Sequence, residues 1–352
     1  MSIRPNPKSG AIGLALGLIL ALGPATAGTA AAAAQDPIEL KHADRLPADH
    51  YIARYAIKPW IAEVEEATGG AVTIKRYPSQ SLGKAKDMLT LVEAGVADMG
   101  EFFPGYLGDK LALSTIGELP GLVPSACAAA LAYETLAKDG GPIDREELAP
   151  AGIKLLYVVG LPQYELFTSK PMSDLDSLKG LKIRSSGGTM DAGLRSLGIV
   201  PIRMGAPELT ESFARGTVDG TSFPAASIFS YDLQKLSEYA TVGGAFGSSV
   251  TFYGISRRVW DQLSPEVQQA MLQAGEKVTR SACEKIDRDN EEALQRLEAQ
   301  GTTLVRLTSE QQAQMQRLYA PVAEDWVRSL EERGKPAAEV LRRFREAADT
   351  GS

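Results

Sequence analysis

The chain has 352 residues, 44% apolar and 23% charged, with a mean hydropathy of −0.11, which suits one or two globular domains and excludes a multi-span membrane protein. Setting aside residues 1–34, which hold two basic and no acidic side chains, leaves 35 basic against 44 acidic, a net of −9 that argues against nucleic acid or an anionic membrane surface as a partner. Only two histidines are present, His42 and His50, and there is no HExxH, CxxC, GxSxG or GxxxxGK. A histidine triad, a multi-histidine metal site or a phosphate loop is therefore hard to build. No cofactor or metal is expected, and the chain reads as a binder, not an enzyme.

The N-terminus reads as an export signal. Arg4 and Lys8 form a basic region, Ala11 to Leu22 an apolar run too short to span a bilayer, and Ala30 to Ala34 supply small residues for cleavage. Gln35 becomes the first mature residue. No cysteine follows for a lipid anchor, so the mature chain is expected free in an exported compartment with no direct membrane anchor.

Ile38 to Ala43 alternates like a strand. Asp49 suits the N-cap of a helix reaching Ala67, which Pro59 should kink. Ala71 to Tyr77 is a second strand and Lys84 to Ala94 a second helix closed by Gly95. This strand–helix–strand–helix order signals an α/β domain with a largely parallel sheet. Asp98 to Gly105 then falls at a strand's C-terminal end, where open α/β sheets place their ligands, so Glu101, Phe102 and Phe103 are cleft candidates, with core packing the competing role for the phenylalanines.

Ser125 to Lys138 is an Ala-rich helix and Ile153 to Val159 a strand. Gln163, Tyr164 and Glu165 lie in the connection to a short strand at Leu166 to Thr168. The most suggestive stretch follows. Leu181-Lys182-Ile183 runs into Arg184, then Ser185 to Gly188, then a helix carrying Met190, Leu194 and Leu197. A strand-end arginine beside a glycine turn and a helix start can hold an anion, because backbone N–H groups and the guanidinium fork both favour negative charge. A solvated strand end fits the same residues.

Phe246 to Ser256 reads as a strand crossing back to the first domain. Ser264-Pro265 opens a helix to about Ala299, with Val267, Met271, Val278, Ala282, Ile286, Ala293 and Leu297 on one stripe. At roughly 50 Å it should brace both domains. Thr302 to Leu307 is a last strand, and two amphipathic helices close the chain. Cys127 and Cys283 could pair in an oxidising compartment, but their helix-like, Ala-rich neighbourhoods favour two buried thiols.

Several short pieces recur in a telling order: Thr68-Gly69-Gly70, Leu82-Gly83, Gly95 to Met99, Asp176 to Arg184, Leu197 to Pro201 and Gly216 to Gly220. In that order and spacing, from Ile38 to about Phe344, they resemble the periplasmic solute-binding proteins of TRAP (tripartite ATP-independent periplasmic) transporters. The resemblance implies an α/β clamp of two lobes, each a mixed sheet flanked by helices, with one long helix bracing both. The lobes would comprise 35–161 plus 250–289 and 162–249 plus 290–352. It also implies that Arg184 pairs with a ligand carboxylate, and that the two lobes close around an organic acid and pass it to membrane permease subunits; a monomer is expected.

Two places depart from the family pattern. Thr221-Ser222-Phe223 stands where many members carry Gln-Glu-Asn before proline, and Gln163-Tyr164-Glu165 stands where a second arginine is common. Both changes remove polar grip and add aromatic surface. The expected ligand is a monocarboxylate with an apolar or aromatic body, contacted by Arg184, Phe223, Tyr164, Gln163, Glu101 and Phe102. Two other functions compete: an exported carboxylate-binding enzyme, and a binding protein that serves a sensor.

Overall fold

The computed structural model describes residues 37–350; the export signal read at 1–34 lies outside them. The strands are β1 (Ile38–Ala43), β2 (Val72–Tyr77), β3 (Met99–Phe102), β4 (Ile153–Leu161), β5 (Glu165–Thr168), β6 (Lys182–Ser185), β7 (Val200–Arg203), β8 (Gly220–Phe223), β9 (Tyr239–Val242), β10 (Ser249–Ser256) and β11 (Thr303–Arg306). They form two mixed sheets, ordered β2-β1-β3-β10-β4 and β11-β9-β5-β8-β6-β7. In the first, β1 is parallel to β2 and β3, and β10 returns antiparallel between β3 and β4. In the second, β6 is parallel to β7 and β8, while β5 runs antiparallel to β8 and β9. The βαβ runs supply the parallel pairs, and the strands that enter after a lobe-to-lobe crossing supply the antiparallel ones. All nine residues of β4 are buried, as a continuous apolar run covered on both faces requires.

The long helix spans Pro265–Ala299. Ser264 caps it by accepting from the Val267 amide at 3.4 Å, and Pro265 occupies the first turn, where its missing N–H costs nothing. Its stripe of Met271, Val278, Ala282, Ile286, Ala293 and Leu297 is buried. It packs on β4 and on the helices Lys58–Ala67 and Ala126–Ala137 beside the first sheet, and on Ala225–Ser230 beside the second. Contact with β4 is close enough that a Cβ at Gly275 would collide with the Leu156 carbonyl oxygen.

The structure overturns the reading of Cys127 and Cys283 as thiols. They form a disulfide between Ala126–Ala137 and Pro265–Ala299, with Cα atoms 4.8 Å apart. The small side chains that made the neighbourhood look like plain core let the two helices approach to bridging distance. Asp287 adds a second tie, accepting from the Ala126 and Cys127 amides at 2.8 and 3.3 Å.

The first helix also differs from expectation. Asp49 pairs with Lys58 at 2.8 Å instead of capping, and a π-helical segment, Ala53–Ile57, precedes the α-helix Lys58–Ala67. Pro59 thus sits in the first turn of regular helix and is accommodated by a wider turn before it.

Two connections between the sheets run side by side. The Tyr164 amide donates to the Gly247 carbonyl at 2.8 Å, and the Phe246 amide donates to the Tyr164 carbonyl at 2.9 Å. At the C-terminus, Ser309–Glu331 lies on Gly188–Ser196 beside the second sheet, and Ala337–Thr350 lies on Ala126–Ala137 beside the first. No helix among the described residues is long and apolar enough to cross a membrane.

Candidate functional site

Arg184 is buried, with 2% of its surface exposed, so the solvated strand end is excluded. It sits on β6, paired opposite Ile202 of β7 and Thr221 of β8. Nε donates to the Met204 carbonyl at 3.1 Å and Nη2 donates to the Tyr106 hydroxyl at 2.6 Å. The guanidinium carbon lies 5.1 Å from the centre of the Phe223 ring. The turn after β6 needs its glycine: Gly187 has φ of 106°, a backbone state that L side chains rarely adopt. These contacts fix the guanidinium against the sheet's C-terminal edge.

The opposing wall comes from the first sheet. Arg45, two residues past β1, forms an ion pair with the buried Glu101 at 3.0 Å and lies 4.8 Å from the Phe103 ring centre. Burial works against the charge on Arg45, but Glu101 and the neighbouring phenols outweigh it and raise its pKa further, so it stays protonated. Tyr106, on the short helix Pro104–Leu107, reaches across to Arg184, and its oxygen also accepts from the Ala206 amide at 3.0 Å.

Between these walls is a cavity of about 20 Å³. That is room for little more than one water, so an organic acid enters only if the walls part or side chains move. Arg184, Tyr164 and Phe223 all line it, with Tyr164 edge-on to Phe223 at 6.4 Å between ring centres.

The other three expected residues lie elsewhere. Phe102 points to the opposite face of β3 and packs on Phe252 at 5.2 Å in the core; Phe103, the next residue, lines the cavity instead. Side-chain alternation along an extended chain decides this. Glu101 stands behind Arg45 and also accepts from Thr251. Gln163 is half-buried and donates from Nε2 to the Val123 carbonyl at 2.9 Å.

Sequence reasoning missed Arg45, His50, Tyr106 and Tyr231, which also line the cavity. Arg45 had a usable signal, since it lies just past β1 and Glu101 lies near the end of the neighbouring β3. The other three come from loops or helix ends with no motif.

Electrostatics leave Arg184 as the unmatched charge. Glu101 is engaged with Arg45. Glu118, fully buried near Arg184, has its pKa raised to about 8 by burial, against hydrogen bonds from Ser249 and Gly105 and the charges of Arg184 and Arg203. It is therefore neutral at pH 7. His50 is pushed well below its ordinary pKa by burial and by Arg45, Arg76 and Arg54, and is neutral too. Its Nδ1 accepts from the Ile52 amide at 3.2 Å, so the ring proton sits on Nε2. Among the described residues, no group of three or more His, Cys, Asp or Glu side chains could hold a metal ion.

Two mixed α/β sheets, a long shared helix and a buried arginine between the sheets define a solute-binding clamp. Residues 42–329 match the family described as DctP, bacterial extracellular solute-binding protein, family 7, and the chain belongs to that family. It is 27% identical over 274 residues to the C4-dicarboxylate-binding periplasmic protein DctP of Rhodobacter capsulatus, covering 74% of this chain and 78% of that one. Its fold is similar to a marine metagenome TRAP solute-binding protein specific for aromatic acid ligands, solved with metahydroxyphenylacetate (TM-score 0.83, 22% identity, 90% of this chain and 99% of that one). A similar match is a TRAP periplasmic solute-binding protein from Bordetella bronchiseptica with bound (R)- and (S)-mandelate (TM-score 0.80, 25% identity, 90% and 100% covered).

Proposed function

We propose that this chain is exported by a signal peptide at residues 1–34, acts as a monomer in the periplasm, and captures a monocarboxylate with an aromatic body by hinge closure for delivery to a TRAP permease. The observation that carries the reading is Arg184: a buried guanidinium with no ionised partner, in a cavity walled by Phe103, Tyr164 and Phe223. One excess positive charge matches one carboxylate, and the aromatic walls match a flat apolar body. The ligand bridges both sheets, so it stabilises the closed form over the open one, and only that difference drives closure. The aromatic acids named for two structural neighbours support the same class.

A C4-dicarboxylate, as named for the Rhodobacter relative, is the second reading, and Arg45 is the observation in its favour. Glu101 at 3.0 Å already matches that charge, which favours the monocarboxylate. Calorimetry on the purified mature chain with phenylacetate, benzoate and succinate tests the choice. Binding of the aryl acids with no heat from succinate is expected; the reverse pattern removes the reading.

A further inference from the structure

Arg45 and Arg184 line the same cavity from opposite walls and share one neighbour. The Arg45 guanidinium lies 5.6 Å from the centre of the Tyr106 ring, and the hydroxyl of that ring accepts from Arg184 Nη2 at 2.6 Å. Two cations one tyrosine apart could grip both ends of a dicarboxylate. They differ in what stands behind them. Arg45 Nε meets a Glu101 carboxylate oxygen at 3.0 Å, and both side chains are buried. Glu101 is fixed from the far side: it sits on β3 opposite Tyr253 of β10, accepts from the Thr251 hydroxyl, and stands apart from the residues that line the cavity. Asp44, next to Arg45 in the chain, is engaged by Arg76 at 2.6 Å and accepts from the Leu46 amide at 2.7 Å. It braces the loop that carries Arg45 and leaves the charge of Arg45 to Glu101. Burial raises the Glu101 pKa against the opposing pull of Arg45 and the Thr251 hydroxyl. Contact at 3.0 Å with a guanidinium that stays protonated favours the ionised carboxylate.

We infer that Glu101 sets the charge of the ligand: it restricts a two-arginine cavity to one carboxylate, and with that residue neutral the same cavity takes a dicarboxylate. This rests on the aryl-acid reading above and deepens it by naming the residue that excludes a second charge. Glu101 serves as a built-in second carboxylate. It is a positioning residue, because it stands behind Arg45 and acts through it. Succinate held at Arg184 would bring its other carboxylate to a guanidinium whose charge is already balanced, and desolvating an anion without a counter-charge is costly. An aryl body at the same place meets the rings of Phe103 and Tyr106, over which Arg45 lies at 4.8 and 5.6 Å, and needs no charge there. Arg184, Arg45 and Glu101 together carry one net positive charge in the parent. Glu101→Gln, which keeps the side chain's shape and an oxygen for Thr251, raises this to two. Adding Arg45→Met to Glu101→Gln returns it to one.

Calorimetric titration of the mature protein and the two variants with phenylacetate and succinate reads this rule, with melting curves to show which variants fold. The parent should prefer phenylacetate. In Glu101→Gln the ratio of phenylacetate to succinate affinity should fall by at least about tenfold, through tighter binding of succinate. In the double variant the ratio should return to within about threefold of the parent's, whatever the absolute affinities, because the charge has returned to one. A general loosening of the site would not produce that reversal. A Glu101→Gln protein that folds and keeps the parent's ratio overturns the inference but leaves the aryl-acid reading standing. So does a double variant that retains the gain in succinate, since the gain then does not come from Arg45. Should Glu101→Gln fail to fold, the double variant decides alone: the parent's ratio upholds the inference, and a shift towards succinate of tenfold or more overturns it. A parent that prefers succinate, or binds neither acid, overturns both readings.

Discussion

Arg184 and Tyr106 meet at 2.6 Å, and this contact joins the two halves of the clamp. The guanidinium belongs to a strand of the second sheet and the phenol to a short helix after the first. Tyr106 also accepts from Ala206, so one oxygen receives two donors from the opposite side. Its own proton remains free to donate to a ligand carboxylate.

Arg184→Ala should lose about 2–5 kcal/mol of ligand affinity, the range for truncating a buried, hydrogen-bonded charge pair. Arg184→Lys should recover part of it at most, because an ammonium cannot reach the Met204 carbonyl, Tyr106 and a carboxylate together. Calorimetry measures both, with melting curves to show that each variant is folded. Parent-like affinity in the alanine variant would remove Arg184 from the site.

Tyr106→Phe leaves Arg184 Nη2 and the Ala206 amide without their shared acceptor. Affinity should fall by roughly thirtyfold, at about 1 kcal/mol for each of the two hydrogen bonds lost. If closure is as proposed, the loss should appear mainly as faster dissociation. Stopped-flow measurement of both rates checks this; an unchanged dissociation rate contradicts the role.

Glu118 makes stability depend on pH. Its pKa is about 8 in the folded chain, raised from the ordinary carboxylate value by burial. Between the ordinary value and about 8 the folded state holds a proton that the unfolded state releases, so this residue's contribution to stability falls as pH rises through that window. Glu118→Gln removes the dependence. The variant should match its parent near pH 5 and melt higher at pH 8. Comparing the two cancels the opposite contribution of His42 and His50, whose buried rings resist protonation. A parallel pH profile for variant and parent would count against a protonated Glu118.

The bridge between Cys127 and Cys283 spans 156 residues of sequence. Replacing both with alanine should lower unfolding stability by about 2–4 kcal/mol, chiefly by releasing the unfolded chain. Denaturant midpoints with and without reductant report it: the parent should shift on reduction and the double variant should not.

Much of the fold was legible because its signals are local and periodic. The apolar run of β4, the cap at Ser264 and the seven-residue stripe after it each act within a few turns of chain, so pattern alone places them. Arg184 was legible for a related reason: a strand end, a glycine turn and a helix start lie within one short segment. Phe102 and Phe103 show where this stops. Both are aromatic and adjacent, and only the register of β3 decides which one enters the cavity.

By itself, the amino-acid order determined the alternation of strands and helices, the bracing helix and one arginine poised for an anion, because these follow from spacing along the chain. Only the tertiary structure decided what surrounds that arginine. Tyr106 is 78 residues away from Arg184 in sequence, and the packing of two sheets brings their side chains together. Folding also matched Arg45 with Glu101, joined Cys127 to Cys283, and left the Tyr231 hydroxyl without a partner. Charge balance and hydrogen-bond satisfaction are properties of neighbours in space, and the chain acquires those neighbours only when it folds.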